Sequence, residues 1–275
     1  VQEVMDLAGV AHLSAIRSRV PFVHFFDGFR TSHEVQKIEV IDYEDFGKLL
    51  DWEAVQAFRD NALNPEHPVT RGTAQNPDIF FQAREAGQKY MDRLPAVVDG
   101  YLKEISALTG RTYNLFDYVG APDAEQVIVA MGSVCETVEE TLKVLLDKGE
   151  KVGLIKVRLY RPWAPEYLKK VLPKTVKRIA TLDRTKEPGA LGDPLYMDLK
   201  TMFYGEENAP LVVGGRYGLG SKDTTPAQIM AVYENLKLSE PKDQFTIGII
   251  DDVYNTSLEP VPVRTEPEDT VRCKF

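Results

Sequence analysis

Val127-Ile128-Val129-Ala130-Met131-Gly132-Ser133 is the stretch that decides the fold of this chain. Five apolar residues in a row are typical of a short strand that is buried on both faces of a sheet. Gly132 then turns the chain, and Ser133 with Glu136 forms the capping-box pattern that begins a helix, which extends through Leu146. A strand followed directly by a helix is the repeating unit of a parallel sheet.

The same unit recurs through residues 120–250. Further apolar runs predict strands at Val152 to Leu159, Arg178 to Leu182, Leu211 to Val213 and Phe245 to Ile250. Helix starts between these runs are predicted at Pro165, at Asp193 with Pro194, and at Thr225 with Pro226 and Gln228. We therefore predict an α/β fold with a mostly parallel sheet of about five strands that is flanked by helices.

The residues before the sheet are predicted to be the tail of another α/β domain and a set of helices. Residues 1–20 have apolar residues at helical spacing, and Pro21 ends this helix. Phe22 to Phe26 then predicts a short strand. Asn76 with Pro77 predicts the start of another helix, and a further helix from Pro95 to Leu108 should end at Gly110.

Composition excludes several classes of protein. The 275 residues include 33 Lys and Arg against 42 Asp and Glu, a net charge of −9, so we expect neither nucleic acid nor anionic membrane as a partner. No run approaches the roughly 18 apolar residues of a membrane span. Cys135 and Cys273 are too few for a four-cysteine iron–sulfur cluster or a closed zinc site, and so few cysteines fit a cytoplasmic protein.

Two glycine-containing segments have charged groups that could contact an anionic cofactor. In the segment Asp27-Gly28-Phe29-Arg30-Thr31-Ser32 the candidates are Asp27, Arg30 and Ser32; alternatively, Asp27 and Arg30 pair with each other and fix the turn. In the segment 213–222, with four glycines within seven residues, the candidates are Arg216 and Lys222. The alternative there is a loop docked on another domain, with its basic residues paired to that domain's carboxylates.

The remaining signals favour structural roles. The backbone at Gly132-Ser133 could bind a phosphate, but a plain helix cap is favoured. Residues 156–184 include nine basic and two acidic residues. They could form a docking face for an acidic partner or a polyphosphate, but a solvated face is favoured. His12 and His24 are favoured as structural histidines, and neither a G-x-G-x-x-G motif nor a Walker lysine is found.

Several segments spread along the chain resemble segments of the pyruvate:ferredoxin (flavodoxin) oxidoreductase family. They are Val10 to Ala15, His24 to Glu34, Leu182 to Tyr196, Gly214 to Leu219 and Asp223 to Pro226. The resemblance implies three parts. Residues 1–50 would be the end of the pyrimidine-side thiamine-diphosphate-binding domain, and residues 51–260 a domain II similar to the C-terminal domain of transketolase. Residues 261–275 would be a linker and the first strand of a γ-type domain.

The resemblance also implies a reaction. It is the oxidative decarboxylation of pyruvate with coenzyme A to acetyl-CoA and CO₂, with electrons passed to ferredoxin or flavodoxin. Thiamine diphosphate, Mg²⁺ and [4Fe–4S] clusters would be the cofactors of the full-length protein, and coenzyme A its co-substrate. The implied partners are the remaining domains of the same chain, ferredoxin or flavodoxin, and a second copy in a homodimer.

The segment itself is expected to have a structural and interdomain docking role. We expect it to contain no catalytic residue, to hold no metal or cofactor alone, and to be inactive alone. Two alternatives stay open. The chain could be an α-chain segment of another 2-oxoacid:ferredoxin oxidoreductase, or a stand-alone ligand-binding α/β module.

Overall fold

The computed structural model describes residues 1–70, 74–267, 269–271 and 273, and it describes Arg30 by its backbone only. The chain divides into two compact units. The first unit consists of Val1–Phe26, Ser32–Leu115 and Leu159–Ala164, and the second of Asp27–Thr31, Phe116–Arg158 and Pro165–Phe275. No helix within the described residues is both long and apolar enough to cross a membrane.

Helices make up the regular structure of the chain before the sheet. They are α1 (Gln2–Ser18), α2 (Arg30–His33), α3 (Tyr43–Leu49), α4 (Trp52–Asp60), α5 (Phe80–Ala86), α6 (Gln88–Asp92) and α7 (Leu94–Thr109). The core of the first unit forms where α1 packs against α7, with buried side chains from both helices. Gly110 ends α7 in the left-handed conformation at φ 73°, and its N–H donates to the Ser106 carbonyl, as predicted.

A buried carboxylate fixes α1 within this unit. Asp6 is 1% exposed and accepts hydrogen bonds from Arg111 Nε at 2.7 Å and from the Tyr113 hydroxyl at 2.7 Å. The Arg111 guanidinium also donates to Glu39 at 2.6 Å. A charged side chain is stable in such a buried place because its hydrogen-bonding capacity is satisfied there.

Two predictions for the first unit are wrong. Residues 22–26 form no strand, and Val23, Phe25 and Phe26 are exposed. A strand needs a neighbour for its backbone hydrogen bonds, and no described strand of this chain pairs with these residues. Asn76 and Pro77 begin a turn, and the helix begins three residues after Pro77, at Phe80.

The second unit contains the predicted sheet. Its elements are β1 (Phe116–Gly120), β2 (Gln126–Ala130), α8 (Val134–Asp147), β3 (Val152–Val157), α9 (Pro165–Val171), β4 (Arg178–Asp183), α10 (Pro194–Phe203), β5 (Leu211–Arg216), α11 (Pro226–Lys237) and β6 (Phe245–Thr246). In the described residues the strand order is β1-β3-β2-β4-β5-β6, and every pair is parallel except β1 with β3. This confirms the predicted fold class.

The edges of the sheet differ from the prediction. Strand β1 is an antiparallel edge strand that was not predicted, because its Phe-Asp-Tyr-Val-Gly sequence lacks a continuous apolar run. Strand β6 covers two residues of the predicted Phe245 to Ile250, and Gly248, at φ 85°, is not extended. The strand predicted at the end of the chain depends on Arg272, Lys274 and Phe275, which lie outside the described residues.

Helices α8 and α11 cover the core of the sheet. Their buried stripes pack with the central strands in one hydrophobic cluster that includes Leu142 and Tyr233. The Tyr233 hydroxyl donates to the Gly153 carbonyl at 3.0 Å, so this large polar side chain is satisfied inside the core. Helix α11 begins after Thr225, as predicted, and Thr225 forms a capping box with Gln228.

Candidate functional site

The carboxyl ends of β2, β4 and β5 meet at one edge of the sheet. We call this the carboxyl edge; it comprises residues 131–133, 183–184 and 216–222, which follow or end these strands. Parallel α/β sheets bind ligands at such edges, because the loops that follow the strands converge there. The edge includes two of the predicted site residues, Arg216 and Lys222.

Asp27 also lies at the carboxyl edge. Ser133 is the residue before the first turn of α8, and its backbone N–H donates to Asp27 Oδ1 at 3.2 Å. Asp27 Oδ2 accepts the Thr31 hydroxyl at 3.0 Å and lies 3.7 Å from the Arg184 guanidinium. Asp27 therefore binds a helix amino terminus and a cation at once, which is the environment that favours a carboxylate.

The protonation of Asp27 follows from these contacts. Partial burial alone would raise the pKa of its carboxyl group. The hydrogen bonds from Ser133 and Thr31 oppose burial and outweigh it, so the pKa of Asp27 lies below its ordinary value. The group is thus an anion at neutral pH.

The close approach of Asp27 requires a glycine at position 132. Gly132 has φ 79°, and a Cβ atom there would lie 2.5 Å from Asp27 Oδ1. The predicted capping box of Ser133 and Glu136 is wrong, because Ser133 has helical backbone angles and its side chain makes no capping bond. The Ser133 N–H is bound by the carboxylate of Asp27 instead. The start of α8 is therefore capped by a residue that is distant in the chain and not by a neighbouring side chain.

Arg184 connects Asp27 to the glycine-rich loop. Its Nε donates to the Gly218 carbonyl at 3.0 Å, and its NH2 lies 3.5 Å from the Ser221 hydroxyl. This loop includes a short 3₁₀ turn, Leu219–Ser221, which follows Gly218 in the left-handed conformation. Tyr217 is buried beside it and donates to the Met131 carbonyl at 3.4 Å, and burial raises the pKa of this hydroxyl.

Arg216 makes a buried ion pair within the second unit. Its NH1 lies 3.1 Å from Asp193 Oδ2, and its NH2 donates to the Gln244 carbonyl at 2.9 Å. Asp193 also accepts the Glu187 N–H at 2.9 Å. Both partners of the pair are buried, so removal of either one would leave an uncompensated charge in the interior. The alternative for this loop pairs its basic residues with the carboxylates of another domain, whereas Arg216 pairs with a carboxylate of its own unit.

Asp183, which was not among the predicted site residues, caps α10. The two oxygens of its carboxylate accept the N–H groups of Leu195 at 3.0 Å and Tyr196 at 3.1 Å. Burial raises the pKa of Asp183 to about 6. Asp193, the predicted cap, occupies the N-cap position but makes no capping bond. An aspartate that ends an otherwise apolar strand was the one available signal.

Three predicted site residues remain. Lys222 is exposed at the end of the glycine-rich loop. Ser32 belongs to the first unit, where its hydroxyl lies 2.8 Å from His33 Nδ1. Arg30 begins α2, and its side chain lies outside the described atoms, so its predicted pairing with Asp27 stays a prediction.

Most basic residues of segment 156–184 have an acceptor within the second unit, which favours the structural interpretation of this segment. The pairs are Lys156 with Glu139, Arg158 with Asp117, Lys169 with Glu206, Lys177 with Glu125, Arg178 with the Leu236 and Leu238 carbonyls, and Arg184 with Asp27. The positive charges in these pairs are already bound to acceptors of the chain, so they are less available to an acidic partner.

A small cavity of about 210 Å³ lies in the first unit beside His12 and His24. Its other lining residues are Ala8, Ala11, Ala15 and Phe22. Burial, followed by the proximity of His12, lowers the pKa of His24. Within the described part of the chain, no group of three or more His, Cys, Asp or Glu residues is placed to hold a metal ion.

Two family models match the chain. The model described as pyruvate flavodoxin/ferredoxin oxidoreductase, thiamine diphosphate-binding, matches residues 1–103. The model described as pyruvate:ferredoxin oxidoreductase core domain II matches residues 124–229.

Similar curated proteins match the chain over its whole length. It is 62% identical to a pyruvate:ferredoxin oxidoreductase of Moorella thermoacetica and 58% identical to a pyruvate-flavodoxin oxidoreductase of Enterobacter agglomerans. It is 51% identical to a pyruvate dehydrogenase [NADP(+)] of Cryptosporidium parvum. The chain spans 24% of the length of the first two relatives and 14% of the third. A solved 2-oxoglutarate:ferredoxin oxidoreductase from Magnetococcus marinus aligns with 62% of this chain and 26% of its own, at TM-score 0.36 and 18% identity.

Proposed function

Because the chain belongs to the pyruvate:ferredoxin/flavodoxin oxidoreductase family, we propose that it is part of an enzyme that oxidises pyruvate. In this reaction pyruvate and coenzyme A give acetyl-CoA, CO₂, a proton and two electrons, which pass to ferredoxin or flavodoxin. The observation that supports the proposal most is the 62% identity to a pyruvate:ferredoxin oxidoreductase over the whole chain. Thiamine diphosphate with Mg²⁺ would supply the carbanion chemistry, and iron–sulfur clusters would accept the electrons.

The donors of the carboxyl edge do not fit a free diphosphate. The N–H of Ser133 and the guanidinium of Arg184 face the carboxylate of Asp27, and the guanidinium of Arg216 faces Asp193. An added anion would have to displace these carboxylates or lie beside them, which like charge disfavours. We therefore assign no reaction step to this edge. The cofactor contacts predicted for Asp27, Arg30, Ser32, Arg216 and Lys222 stay predictions.

We propose that this segment has a structural and docking role in the enzyme. Helices α3 to α6 have no buried residue, and Trp52, Phe58 and Phe81 are among their exposed side chains. Exposed apolar surface of this kind marks surfaces that contact other protein. Other domains of the same polypeptide, or a second copy in a homodimer, would cover it. The proposed division at residues 50 and 260, with a transketolase-like middle part, also stays a prediction.

The test is expression of the full-length polypeptide that includes this chain, followed by a viologen reduction assay. We expect reduction that requires both pyruvate and coenzyme A. 2-Oxoglutarate in place of pyruvate is the matched control, because the alternative function is that of another 2-oxoacid oxidoreductase. Faster reduction with 2-oxoglutarate than with pyruvate would reject the proposed substrate in favour of that alternative.

A further inference from the structure

The carboxyl edge already holds an anion, and that anion belongs to the chain itself. Asp27 accepts the Ser133 N–H at 3.2 Å and the Thr31 hydroxyl at 3.0 Å, with Arg184 at 3.7 Å. The side chain is 9% exposed. These donors are of the kind that holds an outside carboxylate or phosphate at the edge of a parallel sheet.

The backbone opposite Asp27 is adapted to this carboxylate. Any Cβ at position 132 would come within 2.5 Å of Asp27 Oδ1, a distance that Cβ atoms do not tolerate. The left-handed φ of 79° at Gly132 also favours glycine. Position 132 therefore favours glycine for two reasons. The missing side chain leaves room for Asp27, and the backbone angle is one that glycine adopts without strain.

The turn that contains Asp27 is strained. Phe29 has φ 64°, a left-handed conformation that a bulky side chain disfavours, and its side chain is 75% exposed. Burial of Phe29 therefore does not explain why the conformation persists. Two hydrogen bonds of the Asp27 carboxylate fix the turn instead. The bond from Ser133 attaches the start of the turn to α8, and the bond from Thr31 joins its two ends. Such strain persists only where surrounding contacts determine the conformation.

We propose that Asp27 is the chain's own ligand for the carboxyl edge. Its carboxylate closes the edge to outside anions and fixes the turn of residues 27–31 in its strained conformation. All groups in this contact lie in the second unit. The role of Asp27 goes beyond the proposed function and does not depend on it, because it rests on contacts within this chain alone.

Hydrogen exchange of the Ser133 amide in the 275-residue chain tests the proposal. In Asp27→Ala the acceptor is gone, and exchange of this amide should be about tenfold faster, because hydrogen bonds to charged acceptors are the strong ones. Asp27→Asn keeps an acceptor oxygen without the charge and should give a smaller increase. Inorganic phosphate should leave the Ser133 amide resonance of the unmodified chain unshifted and should shift it in Asp27→Ala.

A matched pair of glycine variants separates the steric effect from backbone strain. Gly132→Ala places a methyl group against Asp27, whereas Gly189→Ala introduces the same residue at φ 84° with no atom within 4 Å of the new Cβ. We expect faster Ser133 exchange in Gly132→Ala and unchanged exchange in Gly189→Ala.

Three results would overturn the proposal. They are equal Ser133 exchange in Asp27→Ala and the unmodified chain, equal exchange in the two glycine variants, and a phosphate-dependent shift of Ser133 while Asp27 is present. A Gly132→Ala chain that fails to fold leaves the decision to the Asp27 variants, whose carboxylate removal introduces no steric clash.

Discussion

The two units of this chain treat their apolar residues in opposite ways. In the second unit, α8 and α11 bury continuous stripes against the sheet, and residues such as Ile128, Leu142 and Tyr233 are at most 1% exposed. In the first unit, helices α1 and α7 have buried apolar side chains, whereas the described residues of α3 to α6 include no buried one. An amphipathic sequence is therefore sufficient to form a helix, but it is not sufficient to bury the apolar face of that helix. Burial depends on a second surface, which the sheet provides within the second unit.

The exposed side chains of the first unit show the consequence. Trp52, Phe58 and Phe81 are 60%, 69% and 70% exposed, although aromatic side chains of this size usually contribute to cores. The relatives of this chain are about four times as long, since the chain spans 24% of them. Additional protein surface is thus present in those relatives and would suit the docking role proposed for this segment.

The largest expected effect compares one large side chain from each unit. Leu142→Ala removes a side chain that is 1% exposed in the core of the second unit, and this should lower its free energy of unfolding by about 2–5 kcal/mol. Phe58→Ala removes a side chain that is 69% exposed on α4, and this should change the free energy by about 0.5 kcal/mol or less. Urea denaturation of the 275-residue chain, followed by circular dichroism, measures both.

The comparison fails if the two substitutions have similar effects. A loss of several kcal/mol in Phe58→Ala would show that α4 is buried in solution, for example by self-association of the chain. Repetition at several protein concentrations distinguishes that case, because stabilisation by association depends on concentration.

Sequence patterns were sufficient for the sheet and insufficient for its edges. The mostly apolar stretches at β2, β3 and β4 predicted strands because strands buried on both faces need apolar residues at most positions. The edge strand β1 has only one buried residue, Phe116, so its pattern is weak. Residues 22–26 have a strong strand pattern and form no strand, because strand formation requires a partner that local sequence does not reveal.

The candidate site was predictable in type but not in pairing. Asp27 and Arg216 were selected because charged residues near glycine turns often have functional roles. Their actual partners, Ser133 and Asp193, lie 106 and 23 positions away in the chain. Asp183 escaped selection because no local motif marks a carboxylate that caps a helix eleven residues downstream. Such contacts are set by the way the sheet brings strand ends together.

The second prediction concerns the pH dependence of stability that arises from Asp183, a buried residue of the carboxyl edge. Burial raises the pKa of Asp183 from 3.8 to about 6 in the folded state. Between these values the folded chain keeps a proton that the unfolded chain has lost. The stability from this group is therefore fully present below about pH 4 and is lost as the pH rises through about 6. Over this range the unmodified chain should lose about 3 kcal/mol relative to Asp183→Asn, which cannot titrate.

Urea denaturation of both chains at several pH values between 4 and 7 measures this difference. The comparison of two chains is necessary because other carboxylates act in the opposite sense. Hydrogen bonds from the Thr256 hydroxyl and from backbone N–H groups lower the pKa of Asp251 to about 2, so its contribution is lost as the pH falls toward that value. Parallel pH profiles for the two chains would show that Asp183 is not a buried acid.

The smallest expected effect compares two helix caps. Asp51 caps α4 by accepting the Ala54 N–H at 2.9 Å, and Thr225 caps α11 through its capping box with Gln228. Loss of either cap by substitution with Ala should cost about 1 kcal/mol within its own helix.

The units should differ in where the loss of a cap is observed. Helix α11 is buried over most of its length, so it can unfold only with the sheet, and Thr225→Ala should lower the global free energy of unfolding by about 1 kcal/mol. Helix α4 has no buried residue and can open alone, so Asp51→Ala should leave the global value unchanged while α4 amides exchange about fivefold faster. Hydrogen exchange and urea denaturation of both variants measure these outcomes. An Asp51→Ala chain that is globally destabilised as much as Thr225→Ala would show that α4 unfolds together with the core, and the contrast between the two units would then be wrong.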